Sequence, residues 1–195
     1  EALGQLTAAD VVALGKRFIA DTQIYRKLGR PFFIDKMPNN FWHIGLIQLI
    51  LPNARIIDVR REPMACCFSN LKQLFGTTNQ EFTYGIDEMA RHYRAYLDLM
   101  RHWEAVLPGR VLRVHYEDVV DDLDASIRRI LEHCGLPFEA GCLAFHENPR
   151  SVRTPSSEQV RRPIDRKGLA QWQSYARWLA PLQESLGDAI TEYRD

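Results

Sequence analysis

The sequence predicts an α/β fold, a three-layer sandwich with a central parallel sheet, and three observations predict it. Short apolar runs at Phe32-Phe33-Ile34-Asp35, at 54–59 (ARIIDV) and at 110–115 (RVLRVH) are bounded by turn residues and read as buried strands. Between them lie longer stretches with helical spacing of apolar residues. Strands that alternate with helices pair in parallel through right-handed crossovers. Ligands of such sheets bind outside the carboxyl ends of the strands. Chemistry is therefore expected just after Asp35, just after Val59 and just after His115.

Each element has a local reason. Thr7 followed by Asp10 has the form of a capping box, with Leu6 as a staple. Val11, Val12, Leu14, Phe18 and Ile19 then give a helical stripe to about Asp21. Pro38 and Asn39 open a helix carrying Phe41, Ile44, Leu46, Ile47 and Ile50, which stops at Pro52-Asn53. Pro63 suits a first helical turn, where its missing N–H costs nothing, and that helix runs through Cys67 and Leu71 to Phe75, ending at Gly76. From Ile86 to Leu107, Met89, Ala90, Tyr93, Leu97, Met100 and Trp103 recur at three and four residues. A helix containing Ser126 to Cys134 closes at Gly135, and 140–145 is helical. Polar, basic residues 147–167 form an ordered loop, and a last helix from near Leu169 holds Trp172, Tyr175, Trp178 and Leu182.

Composition bounds the function. The 195 residues make one domain's worth of chain, and 25 Lys and Arg balance 25 Asp and Glu. A balanced charge argues against a general nucleic-acid surface or a polybasic membrane surface, so any anion site is local. No apolar run approaches the roughly 20 residues that span a bilayer, and no signal peptide is visible. Cys66, Cys67, Cys134 and Cys142 show neither metal-ligand spacing nor a disulfide framework. Adjacent Cys66 and Cys67, in an apolar helical run, read as small core residues rather than reactive thiols, and the cysteine usage reads as that of a reducing, cytoplasmic compartment.

Four constellations carry chemistry. Arg60-Arg61-Glu62-Pro63 follows the second strand and opens a helix that reaches Ser69. A helix N-terminus favours an anion, and an arginine there adds a fork that grips phosphate; the alternative is that Arg61 pairs with Glu62 or Asp58 on the surface. Lys36, in Asp35-Lys36-Met37-Pro38, is placed to neutralise a dianion or a leaving oxygen, or is simply solvated. Tyr116-Glu117-Asp118 follows the third strand: the ring can face a nucleotide or be packing, and the two acids can cap the next helix. Hydroxyls alternate with arginines from Val152 to Pro163, followed by Arg166-Lys167-Gly168, as in an anion-binding lid or a surface loop that is basic.

In order and spacing these pieces resemble the PAPS-dependent sulfotransferases, which use 3′-phosphoadenosine 5′-phosphosulfate (PAPS). The nearest likeness is to bacterial sulfotransferases with upstream tetratricopeptide repeats, and tyrosylprotein sulfotransferases are more distant. The resemblance runs from about Phe33 to Trp172, roughly 70% of the chain. It rests on Asp35-Lys36-Met37-Pro38 with Asn40-Phe41, Pro52-Asn53-Ala54-Arg55-Ile56-Ile57, Arg60-Arg61-Glu62-Pro63, His92-Tyr93, His102-Trp103, Leu107-Pro108-Gly109, Tyr116-Glu117-Asp118, Cys134-Gly135-Leu136-Pro137, Phe145-His146, Val152-Arg153-Thr154 and Gln159-Val160-Arg161.

The resemblance implies a P-loop nucleotide-hydrolase-like sandwich and a single sulfotransferase domain over 1–195. It implies that Arg61 and Ser69 hold the nucleotide 3′-phosphate and that Tyr116 lies at the adenosine side. Arg166 and Lys167 match a short basic motif that touches the 3′-phosphate. Lys36 would stabilise the departing phosphate oxygen, and Ser156 would approach the sulfonate. The family's Gly-rich phosphate loop and its general base are expected to lie before Glu1, so the domain reads as N-terminally incomplete. Cytosolic relatives place a histidine where this chain has Pro38, and His43 falls on an apolar stripe, so no base is named.

The implied reaction moves a sulfonate in line from PAPS to a hydroxyl acceptor (a peptide tyrosine, a carbohydrate or a small molecule), without a metal. Two other classes stay open: a P-loop kinase-like phosphoryl transferase, and a non-catalytic nucleotide-binding or interaction fragment.

Overall fold

Thr7 starts the first helix of the computed structural model, which describes residues 2–26, 28–75, 80–149 and 157–195. The chain divides into two units, residues 1–54 and residues 55–195.

In the first unit, α1 spans Ala8–Asp21 and begins with the expected capping box. The Asp10 N–H donates to the Thr7 hydroxyl oxygen (3.2 Å), and the Thr7 N–H donates back to the Asp10 carboxylate (2.9 Å), so each satisfies a group that the helix start leaves open. Pro38–His43 forms a 3₁₀ turn that runs into α2, Ile44–Ile50. Gly15 is buried, and a Cβ there would stand 2.1 Å from the Ile50 carbonyl oxygen, so α1 meets the end of α2 at a contact only glycine permits.

One expectation fails in this unit. Residues 32–35 form no strand: they carry no ladder, and Phe32 and Ile34 are 67% and 91% exposed. β-branched and aromatic residues favour a strand only where a neighbouring strand and a covering layer exist. The one sheet among the described residues has two strands, and both lie elsewhere.

In the second unit, β1 (Ile56–Arg60) leads into α3 (Pro63–Leu71), with Pro63 in the first turn as predicted. α4 covers Ile86–Val106, and β2, Val111–His115, follows it. The strands pair in parallel, from Ile56 opposite Val111 to Arg60 opposite His115. Two short steps come next: α5, Tyr116–Asp121, and α6, Leu123–Cys134. Asp122, rather than Glu117 or Asp118, caps α6 by accepting from the Ala125 N–H at 3.0 Å. Gly135, at φ 67°, ends α6 in the left-handed conformation. There the Leu136 N–H reaches back to the Leu131 carbonyl (2.9 Å), as glycine-terminated helices do.

The single C-terminal helix expected from Leu169 is instead broken. It consists of α7 (Lys167–Ala170), a 3₁₀ run over Gln171–Trp178, α8 (Ala180–Leu186) and α9 (Ala189–Glu192). Pro181 explains one break, since its ring and missing N–H bar it from a helix interior and place it in a first turn. α3 likewise ends at Leu71, short of Phe75. The core joins α3, α4, α8 and α9: Met64, Cys67, Met89, Tyr93, Leu97, Leu182 and Leu186 are buried together. The chain is thus α/β, with a small parallel two-stranded sheet and mostly helices around it.

Candidate functional site

Because Arg60 stands opposite His115, the next residue of each strand, Arg61 and Tyr116, leaves the sheet at the same end. The Arg61 guanidinium carbon lies 5.2 Å from the centre of the Tyr116 ring, within cation–π range. Its Nη2 donates to the Gly168 carbonyl oxygen in α7. A Cβ on Gly168 would sit 3.3 Å from that Nη2 and 3.9 Å from the Tyr116 hydroxyl, so the bare glycine faces both groups.

The two adjacent arginines do different work. Arg60 is 3% exposed and pairs with Asp58 at 3.0 Å. It also donates to the Tyr193 carbonyl (2.8 Å) and the Tyr96 hydroxyl (3.1 Å). Burial alone would lower its pKa, but Tyr96 and Asp58 outweigh burial and raise it. Arg61 has no carboxylate partner among the described residues, and its Nε is buried without a hydrogen bond. The acids that could have neutralised it are engaged. Asp58 holds Arg60, and Glu62 caps α3, accepting from the Met64 N–H (3.0 Å) and the Ala65 N–H (2.6 Å). The α3 N-terminus expected to attract an external anion is therefore occupied by the chain's own carboxylate.

The backbone around Arg61 is held from two sides. The Tyr93 hydroxyl donates to the Arg61 carbonyl at 2.7 Å, and the Glu62 N–H donates to Glu117 Oε1 at 2.9 Å. Glu117 Oε2 is buried without a partner. Cys66 lies nearby; burial pushes its thiol up to about 11, against the lowering effect of Arg61. The thiols of Cys66 and Cys67 are thus packed, protonated groups, in line with their reading as core residues.

Of the other sequence-predicted residues, Ser69 is half-buried on α3. Arg166 is exposed and ion-paired with Asp121, and Lys167 is exposed, its backbone N–H donating to Asp165 at 2.9 Å. The motif 166–168 does meet Arg61, but through the carbonyl of Gly168 rather than through its cations. Lys36 is exposed in the first unit, ahead of Pro38. Ser156, with Arg153 and Thr154, lies outside the described residues. Sequence reasoning missed Tyr93, which its spacing marks only as core, and Glu117, which its place after a strand marks only as a helix-starting acid. Among the described residues no group of three or more His, Cys, Asp or Glu is placed to hold a metal ion. No helix of the described residues is long and apolar enough to cross a membrane.

Comparison with known proteins adds an independent finding. Residues 5–140 match the sulfotransferase family. An uncharacterized protein of Aquifex aeolicus is 32% identical over 170 residues, covering 85% of this chain and 22% of its own length. The omega-hydroxy-beta-dihydromenaquinone-9 sulfotransferase of Mycobacterium bovis is 28% identical over 130 residues, covering 62% of this chain and 32% of that protein. Its Mycobacterium tuberculosis counterpart matches with the same figures. The chain therefore spans between 22% and 32% of the length of these curated relatives.

Proposed function

The chain belongs to the sulfotransferase family, and on that premise we propose that it serves the transfer of a sulfonate from PAPS to a hydroxyl acceptor, with Arg61 gripping the nucleotide 3′-phosphate. The observation that carries this reading is a guanidinium left, among the described residues, without a carboxylate at the shared carboxyl end of two parallel strands, beside an aromatic ring. An uncompensated arginine with a buried, unpartnered Nε has donors to spare for an anion. The Tyr116 ring beside it suits the adenosine side. Ser69, on the helix that starts two residues after Arg61, supplies a further hydroxyl; Lys167 adds positive charge, and Arg166 does so on exchanging Asp121 for the phosphate.

PAPS brings the sulfonate, and the protein's own residues bind it, orient it and neutralise charge. Lys36 and Ser156 take the role of steadying charge on the transferring group. The acceptor presents a hydroxyl; the mycobacterial relative, named for a hydroxylated menaquinone, belongs to the same chemical class. In this reading residues 1–195 form one sulfotransferase domain of the three-layer, P-loop nucleotide-hydrolase type. The exposed Ile57 and Val59 on one face of β1 support this, since parallel sheets are normally covered on both faces. The four free cysteines suit a reducing cytoplasm.

Calorimetric titration of adenosine 3′,5′-bisphosphate into the whole protein tests the reading. Arg61→Met is expected to weaken binding by about 10- to 100-fold, the worth of a hydrogen bond to a charged group. Unchanged affinity would reject the role of Arg61, and binding that requires Mg²⁺ would favour a phosphoryl-transferring enzyme instead.

A further inference from the structure

β1 ends at Arg60 and α3 begins at Pro63, so Arg61 and Glu62 alone make the connection. The carbonyl oxygen of Arg61 and the N–H of Glu62 belong to one peptide group, and both of its polar ends are held by side chains from other elements. From α4, the buried Tyr93 donates to the carbonyl at 2.7 Å. From the first turn of α5, Glu117 Oε1 accepts from the N–H at 2.9 Å. We propose that Tyr93 and Glu117 are positioning residues that lock the Arg61–Glu62 peptide plane and thereby aim the Arg61 guanidinium. The inference rests on the reading of Arg61 as the anion grip.

The chemistry of the two partners makes the lock directional. A carboxylate accepts and does not donate. Turning the peptide over would bring the Arg61 carbonyl against Glu117, oxygen facing oxygen, and would cost the Tyr93 hydroxyl its acceptor. A short connection between a strand and a helix has little else to hold its peptides, because it shares in neither ladder. The direction of this plane sets where the arginine side chain leaves the backbone, and a displacement at that root is carried along the whole stem to the fork.

Glu117 also follows Tyr116, whose ring lies beside the guanidinium. One turn of chain thus flanks the Arg61 side chain and fixes its backbone. Its second oxygen, Oε2, is buried without a partner, a costly arrangement that packing against an apolar residue of similar size would avoid.

The test joins ligand binding to a ligand-free probe. The buried Nε–H of Arg61 is an NMR reporter, since it is withdrawn from water. In the whole protein, Tyr93→Phe and Glu117→Leu are each expected to raise the mobility of that Nε–H. Each should also weaken adenosine 3′,5′-bisphosphate binding about tenfold by calorimetry, the loss of roughly one hydrogen bond to a charged group. Glu117→Gln, which keeps an acceptor oxygen, should recover most of the loss. In an Arg61→Met background the same changes should alter affinity less than about twofold, since the group they position is gone.

A tenfold loss that persists in that background would overturn the proposal, as would an Nε–H that stays equally ordered in both single variants. If the Nε–H loosens while Arg61→Met binds the nucleotide normally, the positioning device stands and the phosphate reading falls. Tyr93→Phe keeps the ring in the core, so it preserves the test should Glu117→Leu fail to fold.

Discussion

Taking away Arg60 would leave the Asp58 carboxylate with the Tyr96 hydroxyl (2.6 Å) but no cation, and the Tyr193 carbonyl without its donor, in a site where the arginine side chain is 2% exposed. Breaking a buried pair from one side generally costs about 3–5 kcal/mol, because the remaining charge is left without compensation. Arg60→Met is therefore expected to lower unfolding free energy in urea by about that amount. Arg61→Met, which removes no ion pair, should lower it by about 1 kcal/mol or less. Equal losses from both substitutions would contradict this division of labour. The sequence offers Asp58 as a partner of Arg61, and it pairs with Arg60 instead. Residues two apart on a strand share a face, which joins Asp58 to Arg60 and leaves Arg61 outside the strand. That the shared face is buried, and that a tyrosine carbonyl from the far end of the chain completes the site, follows from contacts more than a hundred residues apart in sequence, which no local pattern encodes.

At the level of elements, α1 and α2 meet at Gly15, where a methyl group would lie 2.1 Å from the Ile50 carbonyl oxygen. Alanine favours a helix interior over glycine by about 1 kcal/mol, so a propensity argument alone predicts that Gly15→Ala stabilises. The obstacle is backbone, which cannot swing aside as a side chain would, and overpacking of this kind costs about 1–3 kcal/mol. Gly15→Ala is expected to speed amide hydrogen exchange in α1 and α2. Slower exchange there would show that the helices part without cost. Elements whose signals are local were legible: the Thr7 capping box, Pro63 in a first turn, Gly135 at a helix end, and the buried stripe Met89, Tyr93, Leu97 and Met100 of α4. Those that depend on a partner were not. Residues 32–35 have strand composition but no neighbouring strand, and Val12, Leu14 and Ile19 have helical spacing yet remain exposed. Periodicity records what an element can bury and not what is there to cover it. Of the three places where chemistry is expected, those after Val59 and His115 do stand at the ends of parallel strands, and the one after Asp35 does not. The agents at the site were not legible, since Gly168 contributes a carbonyl and a gap, neither of which a side-chain motif displays.

For the molecule as a whole, positive and negative side chains balance at 25 each, so mild acidification builds no large net repulsion before the carboxylates titrate. Between about pH 7 and pH 5 stability then depends on the histidines that the fold withdraws from water, half-buried His92 and buried His115, since ordinary histidine titration falls in that window. Burial lowers the pKa of His92, whose ring stacks on Phe82 with centroids 3.7 Å apart. Burial, then the charge of Arg194, lowers that of His115, while Asp118, whose carboxylate lies 4.0 Å from Nδ1, and Glu117 pull the other way. In both, the folded protein binds a proton less readily than the unfolded chain, whose histidines titrate near 6.5. Where the unfolded state holds more protons, stability rises with pH. The contribution is therefore complete above the ordinary histidine pKa and is lost as pH falls through the lowered folded values. Urea unfolding at a series of pH values from 8 to 5 should give midpoints that are level at the alkaline end and decline below about pH 6.5. His115→Gln should reduce the slope of that decline, since it removes one of the two histidines whose folded pKa is lowered. A slope unaltered by His115→Gln would mean that His115 titrates alike in the folded and unfolded chain, and a midpoint that rises on acidification and loses that rise in His115→Gln would mean that it is charged in the fold and paired with Asp118.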